Sequence, residues 1–517
     1  MNRLSSRYWI SFLLFFLVVA AFVFPAVTLQ TDDASMYAAA IRNAVLFHDW
    51  VLPTLDPSSV AAFLDKPPVG IWLLSIIPAI LGFSQFSLHL TNVLLWGLSA
   101  AVMTWGVSRF ASRNWARWSG LILMTSIAAV VYSRSPKLEI AMMLCLILIH
   151  GGIFGWIKQR KPVYLYATFA AIAVGFLIKT GFAVVLPGLT VLGMVAVFPA
   201  ARNAIVPTLK SLHFWVAVVM CKLIVIVPLA VQYYAYPQVF PAYLNSILLT
   251  SKYNRAYLGL GLHGSIFLFL ILAALPWVPF AISSIAGRLK RPPKRIFSLP
   301  FTLDRFAVVW LFASTSFLVL AYQQVDFRTA VMLLPPIAVL AARGVQKRID
   351  WRWLMPWPIL LGIAGLIFVL NPANFPLARG VVMAITVGLI GFYGGWMLNR
   401  PLIAVRCLIV TFALFFAYEP RLVPLFSTHY ADADVIGRYR SLGFEFIVMR
   451  PQDRPLKMRA DLCFEDVIVG PADQYVQSDP PPPTKPQILI TNPEAVSQLD
   501  PRWRPILQGS ESVILIR

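Results

Sequence analysis

The sequence predicts a polytopic α-helical membrane protein of about 13 transmembrane helices, with a small extracytoplasmic α/β domain at its C-terminal end. Three observations carry this. The 517 residues are 59% hydrophobic and only 13% charged, with a mean hydropathy of +0.74. Apolar runs recur along the chain to roughly residue 418. Beyond Glu419 charges become frequent and the apolar runs shrink to strand length. A domain of residues 1–418 followed by one of 419–517 is the division this implies.

The apolar segments are 8–29, 69–83, 87–108, 118–133, 138–156, 163–178, 181–199, 213–234, 264–284, 307–322, 328–343, 353–370, 377–397 and 402–418. Residues 1–29 look like a signal peptide, but the apolar stretch is long and lacks a clear small-residue cleavage site, so an uncleaved first span is expected. The net charge of +21 would point to nucleic acid in a soluble protein. Here the Lys and Arg residues crowd into short loops such as "KQRK" (158–161) and "GRLKRPPKR" (287–295). Short cytoplasmic loops have that composition, and no nucleic-acid partner is expected.

Charge also decides which segments cross. If all 14 segments span, the basic loop at 108–118 and those after it fall outside. If segment 69–83 does not cross, they all fall inside. That segment contains Pro78, and its 15 or so residues reach only about 22 Å against a hydrocarbon core of about 30 Å. An in-plane helix on the outer side is expected there. The N-terminus is then cytoplasmic, and the 30–68 loop and the C-terminal domain are extracytoplasmic. Four cysteines, three of them in apolar segments, form neither a disulfide framework nor a CxxC zinc pattern.

With that topology, several charges lie at the outer boundary, where they are costly unless they are paired or functional. The first outer loop begins "TDDASMYAAAIRN". Asp32 and Asp33 suit the cap and first turn of a helix, and Tyr37 and Ile41 follow Asp33 at helical spacing on one face. "DKPPVGIW" (65–72) sets Lys66 before two prolines that open an apolar helix. That holds the ammonium at the level of lipid phosphates. Glu139, Lys179, Arg255, His263 and Arg328 fall in the same layer. Each alone is an ordinary interfacial charge. Together they suit a phosphate-bearing substrate and a nucleophile that needs a base. A transporter or flippase of a lipid-linked sugar is the alternative. It would place its ionisable groups at the bilayer midplane, where only Lys222, towards the cytoplasmic third of its span, approaches.

"DASMYAAAIRNAVLFHDWVLPTL" followed by "DKPPVGIWLLSIIPAILGF" resembles the first-loop signature of the GT-C membrane glycosyltransferases, above all the aminoarabinose transferase of lipid A and bacterial relatives of the protein O-mannosyltransferases. "SPKLEIAMML" (135–144), "GFLIKTGFAVVLPGL" (175–189), the "LPW" at 275–277 and "DFRTAVMLLPPIAVL" (326–340) continue the likeness. The resemblance covers about residues 8–420 and implies a transferase that uses a polyprenyl-phosphate-linked sugar donor. It implies Asp33 or Asp32 as the catalytic carboxylate, with the Tyr37 spacing favouring Asp33. Glu139 stands where the family has Asp. Lys66, Arg255 and Arg328 would bind the donor phosphate, with Tyr37, Lys179 and His263 as further site residues. A divalent metal stays open, since Asp32, Asp33 and Glu139 offer oxygens; no cofactor is required. Ala34 after Asp33, Ser35 and Met36 where the lipid A enzyme has Ala-Arg, and "SLHLTNVL" with His89 in place of an Arg depart from the pattern. These departures bear on the sugar and on the lipid, glycan or protein acceptor.

In the C-terminal part, 444–450, 465–470, 487–492 and 512–517 read as strands and 431–441 as a helix. "NPEAVSQL" reads as a second, capped helix. "DPPPPTKP" between them is a stiff linker. A lid or acceptor-docking role is expected for this part.

Overall fold

The computed structural model describes residues 32–46, 48, 50–51, 67–238, 240–241, 244, 265–289, 300–321, 327–346, 354–370, 376–400 and 403–412, and five strands between 445 and 516. Helices make up almost all of the first 412 residues so described. Five of them are long and apolar enough to cross a membrane singly, and six if one bent pair counts as a span.

α1 (Asp32–Leu46) opens with two acids, which favour a helix N-terminus. It buries Tyr37, Ala40, Ile41 and Ala44, a stripe at helical spacing, and packs on α2 (Pro68–Leu81). α2 has Pro at its first position and ends at Gly82, whose φ of 83° is open to glycine. Its 14 residues make a short helix, as anticipated for the 69–83 segment. α3 (Gln85–Ser108) starts at a capping box in which Ser84 and Ser87 serve each other's backbone amides.

The anticipated span 118–133 is broken. α4 (Arg113–Met124) and α5 (Ile127–Ser133) meet at 59°. The 264–284 segment is broken too, into α10 (Ser265–Ala274) and α11 (Val278–Leu289), around a cis Leu275–Pro276 bond. The two breaks pack on each other. The Ile127 amide donates to the Leu275 carbonyl at 3.2 Å, and the Trp277 indole donates to Thr125 Oγ1 at 2.9 Å. Tyr393 donates to the Pro276 carbonyl at 2.7 Å. A broken helix inside a membrane is tolerated where neighbours satisfy the freed backbone groups, and here each break helps to satisfy the other.

α6 (Glu139–Gln159) is the most enclosed of the long helices other than the segment starting at Arg328. α7 (Pro162–Val197) covers the two anticipated spans 163–178 and 181–199. Lys179, at φ −154° and ψ 77°, interrupts it. A Cβ on Gly175 would lie 2.9 Å from that of Ala183. In a straight helix residues eight apart are separated by about 12 Å. The chain therefore turns back at Lys179, and its two legs lie side by side. α8 (Pro199–Thr208) occupies what reads in sequence as a basic loop. α9 (Leu212–Ala235) packs along α7.

α12 (Leu303–Ala321) leads to a 3₁₀ segment, Phe327–Leu333, and then α13 (Leu334–Gln346). The anticipated span 328–343 thus begins with a tighter helix. α13 packs on α4 and α11, and the Trp115 indole donates to the Val339 carbonyl at 2.9 Å. α14 (Pro356–Leu370), α15 (Pro376–Met397) and α16 (Ile403–Phe412) follow among the described residues.

The C-terminal strands form one sheet, ordered β2-β1-β3-β5-β4, from β1 (Glu445–Arg450), β2 (Ile468–Pro471), β3 (Gln487–Thr491), β4 (Arg504–Gln508) and β5 (Val513–Ile516). β1 pairs in parallel with β2 and β3, and β5 runs antiparallel to β3 and β4. Four strands match the sequence reading. β4 escapes it because Pro505 interrupts the run, and the pairing slips between Pro505 and Leu507. The helices expected at 431–441 and in "NPEAVSQL" lie outside the described residues.

Candidate active site

The centre of the site is an ion pair. Lys179 Nζ donates to Glu139 Oε1 at 3.0 Å, with side-chain exposures of 12% and 4%. The backbone places both groups: Glu139 is the first residue of α6, and Lys179 is the turn of the α7 hairpin. The ammonium also lies 5.2 Å from the Phe182 ring centre, a further favourable contact. Glu139 Oε2 is buried and has no hydrogen-bond partner among the described residues. The carboxylate keeps one acceptor oxygen uncommitted.

The loop before Glu139 adds cations. Arg134 and Lys137 are 2% and 7% exposed. Burial pushes the Arg134 guanidinium down to about 10, which still leaves it protonated at neutral pH. Lys137 Nζ stands 5.0 Å from the Tyr132 ring centre. Asn92 of α3 pins this loop by donating to the Lys137 carbonyl at 2.8 Å and to that of Ser135. Sequence inspection singled out Glu139 in "SRSPKLE" and passed over its two cationic neighbours. The signal was there, in three charges within the six residues 134–139, between two apolar segments.

Two further segments reach this loop. α2 packs against it so closely that a Cβ on Gly70 would come within 2.8 Å of Leu138 Cδ2. The helix that "KPPV" opens is therefore seated next to Glu139. The 3₁₀ segment carrying Arg328 packs on α5 and α6, and Arg328 is partly buried. The corner after α1 is fixed as well. His48 takes a left-handed φ of 57° and its carbonyl accepts from the Trp50 amide at 3.0 Å. The Trp72 indole of α2 donates to the Trp50 carbonyl, and Gln232 of α9 donates to the Val51 carbonyl at 2.8 Å.

Of the anticipated site residues, the structure brings Glu139 and Lys179 into contact and sets Arg328 on an element that touches α6. Tyr37 is 6% exposed, on the face by which α1 meets the core. Asp32 and Asp33 are the first two residues of α1, where caps and first-turn acids were expected; their side chains are not among the described parts. Lys66, Arg255 and His263 lie outside the described residues. Among the described residues, no three His, Cys, Asp or Glu groups gather as metal ligands.

The arrangement can hold an anion. Arg134, Lys137 and Lys179 outnumber the one carboxylate, Glu139, in this largely buried region, and a low dielectric strengthens the pull of net positive charge on a phosphate.

The dolichyl-phosphate-mannose-protein mannosyltransferase family matches residues 65–232. The putative mannosyltransferase YycA of Bacillus subtilis is 28% identical over 203 residues, 39% of this chain and 30% of that protein. The undecaprenyl phosphate-alpha-4-amino-4-deoxy-L-arabinose arabinosyl transferase of Aeromonas salmonicida is 28% identical over 181 residues, 34% and 32% of the two chains. These matches span about a third of the length of either curated relative. The crystal structure of ArnT from Cupriavidus metallidurans bound to undecaprenyl phosphate superposes with a TM-score of 0.75 at 15% identity, covering 99% of this chain and 98% of that one.

Proposed function

We propose that this chain, which has the GT-C fold and resembles the aminoarabinose transferase and bacterial mannosyltransferases, transfers a sugar from a polyprenyl-phosphate-linked donor to an acceptor at the outer face of the bacterial cytoplasmic membrane. The observation that carries the reading is the seating of the "KPPV" helix, through Gly70, on the loop that ends in the Glu139–Lys179 pair. A lipid phosphate entering beside Lys66 would meet that cationic layer.

In this reading the prenyl tail lies between helices, and the donor phosphate is held by Lys66, Arg255 and Arg328. Asp33 takes the proton of the acceptor hydroxyl or phosphate as its oxygen bonds to the anomeric carbon; Asp32 caps α1. The bond between that carbon and the donor phosphate oxygen breaks, and the prenyl phosphate leaves with its electron pair. Cations that stabilise the growing phosphate charge contribute much of the rate, and no acid need protonate the leaving group. Glu139 holds Lys179 towards the phosphate, and Tyr37 and His263 complete the site. The topology that fits has 13 spans, a cytoplasmic N-terminus and α2 lying in the plane of the membrane. Residues 1–418 form the transferase domain. Residues 419–517 form an extracytoplasmic α/β unit that docks the acceptor, a lipid, glycan or protein.

The test is reconstitution of the full chain in liposomes with radiolabelled undecaprenyl-phosphate-linked aminoarabinose or mannose and an extract of envelope acceptors. Release of prenyl phosphate, with label moving to an acceptor, is expected. Label that only crosses the bilayer while still attached to the prenyl phosphate would make the chain a flippase.

A further inference from the structure

Lys222 is the eleventh of the 24 residues of α9, about 16 Å along the axis from the helix start. It therefore lies close to the middle of the helix. Its side chain is exposed. The same stripe carries Trp215, Val219, Leu223 and Ile226, each more than half exposed. Among the described residues, α9 packs chiefly along α7. A bare ammonium among lipid tails is costly, and its four-carbon stem is short for that depth.

No acid of the sequence stands in the middle of one of the apolar segments. Nine of its 22 acids precede residue 418, and five of these lie between 32 and 65. The other four are Glu139, Asp304, Asp326 and Asp350. Glu139 and Asp304 sit in the first turns of their helices, and Asp326 and Asp350 lie between apolar segments. The first span, 8–29, contains no acid. A second copy offers nothing better, since the same face would set Lys222 against Lys222.

We infer that the exposed stripe of α9 receives a transmembrane helix of another membrane protein, one carrying an Asp or Glu at mid-bilayer depth opposite Lys222. The apolar neighbours pack against the incoming helix, and the ion pair fixes its register. Polar pairs of this kind recur in helix association within membranes. The pairing is independent of sugar transfer, because Lys222 has no part in the site described above.

The test uses the full chain, labelled with a fluorophore at its C-terminus, in liposomes. The probes are Leu-rich synthetic helices of about 20 residues with either Asp or Leu at the centre. Energy transfer should show the Asp helix bound roughly tenfold more tightly than the Leu helix. Lys222→Met and Lys222→Gln should both erase that difference, the second guarding against a variant that fails to fold. Lys222→Asp should transfer the preference to a helix with a central Lys. Equal binding of the Asp and Leu helices to the unaltered chain would overturn the proposal, as would a preference that survives in Lys222→Met and Lys222→Gln. So would modification of Lys222 by a membrane-impermeant amine reagent in sealed vesicles, since the ammonium would then reach the headgroup layer unaided.

Discussion

Lys179 and Glu139, forty residues apart in sequence, meet at 3.0 Å because the α7 hairpin turns where α6 begins. Breaking a buried pair strands a charge and costs about 3–5 kcal/mol. Glu139→Gln should therefore lower the melting temperature in detergent and depress transfer together. Glu139→Asp, which keeps the charge, should recover most of both. A Gln variant as stable and active as the parent would remove the pair from the mechanism.

Asp33 is the second residue of α1, one turn before buried Tyr37. Asp33→Asn retains size and capping ability but loses basicity. Transfer should be abolished while donor binding and membrane insertion persist. Asp32→Asn should mainly cost stability, about 0.5–2 kcal/mol for a cap. If Asp32→Asn alone abolishes transfer, the catalytic carboxylate is the neighbouring residue. Activity in the double variant would end the carboxylate mechanism altogether.

Lys66→Ala and Arg328→Ala each remove a proposed phosphate partner. Charge-assisted contacts are worth about 1.5–3 kcal/mol, so donor affinity should fall roughly ten- to a hundredfold in each. Titration of prenyl phosphate by quenching of intrinsic tryptophan fluorescence measures this. Unchanged affinity in both variants would move the phosphate elsewhere.

Topology is open to labelling of single introduced cysteines in a chain freed of its own four. A membrane-impermeant maleimide added outside sealed cells should tag positions near 60 and 450 and spare the 287–295 loop. Tagging of that loop from outside would invert the arrangement.

Gly344 of α13 faces the Phe280 backbone carbonyl so closely that a Cβ would collide with it. A backbone oxygen cannot swing aside as a side chain can. Gly344→Ala should cost about 1–3 kcal/mol by overpacking, read as a lower melting temperature. An unchanged value would mean that α11 and α13 separate freely.

The sequence by itself determined the helical membrane class, the short 69–83 helix, the turn at Lys179 and four of the five strands. Each of these is written in a local signal: apolar length, proline position, charge at a boundary, β-branched runs. The same signals picked out Glu139, Lys179 and Arg328 as charges out of place. Only the tertiary structure decided that Glu139 and Lys179 neutralise each other, that Arg134 and Lys137 are buried in the loop before Glu139, and that Gly70 brings the "KPPV" helix against Leu138. It also decided the breaks at Thr125 and Pro276, which look like continuous spans in sequence. The reason is physical. Apolar runs report how much chain a bilayer can hold, but a broken helix is permitted only by the neighbour that satisfies its freed groups. That neighbour, like the partner of a buried charge, lies far away along the chain.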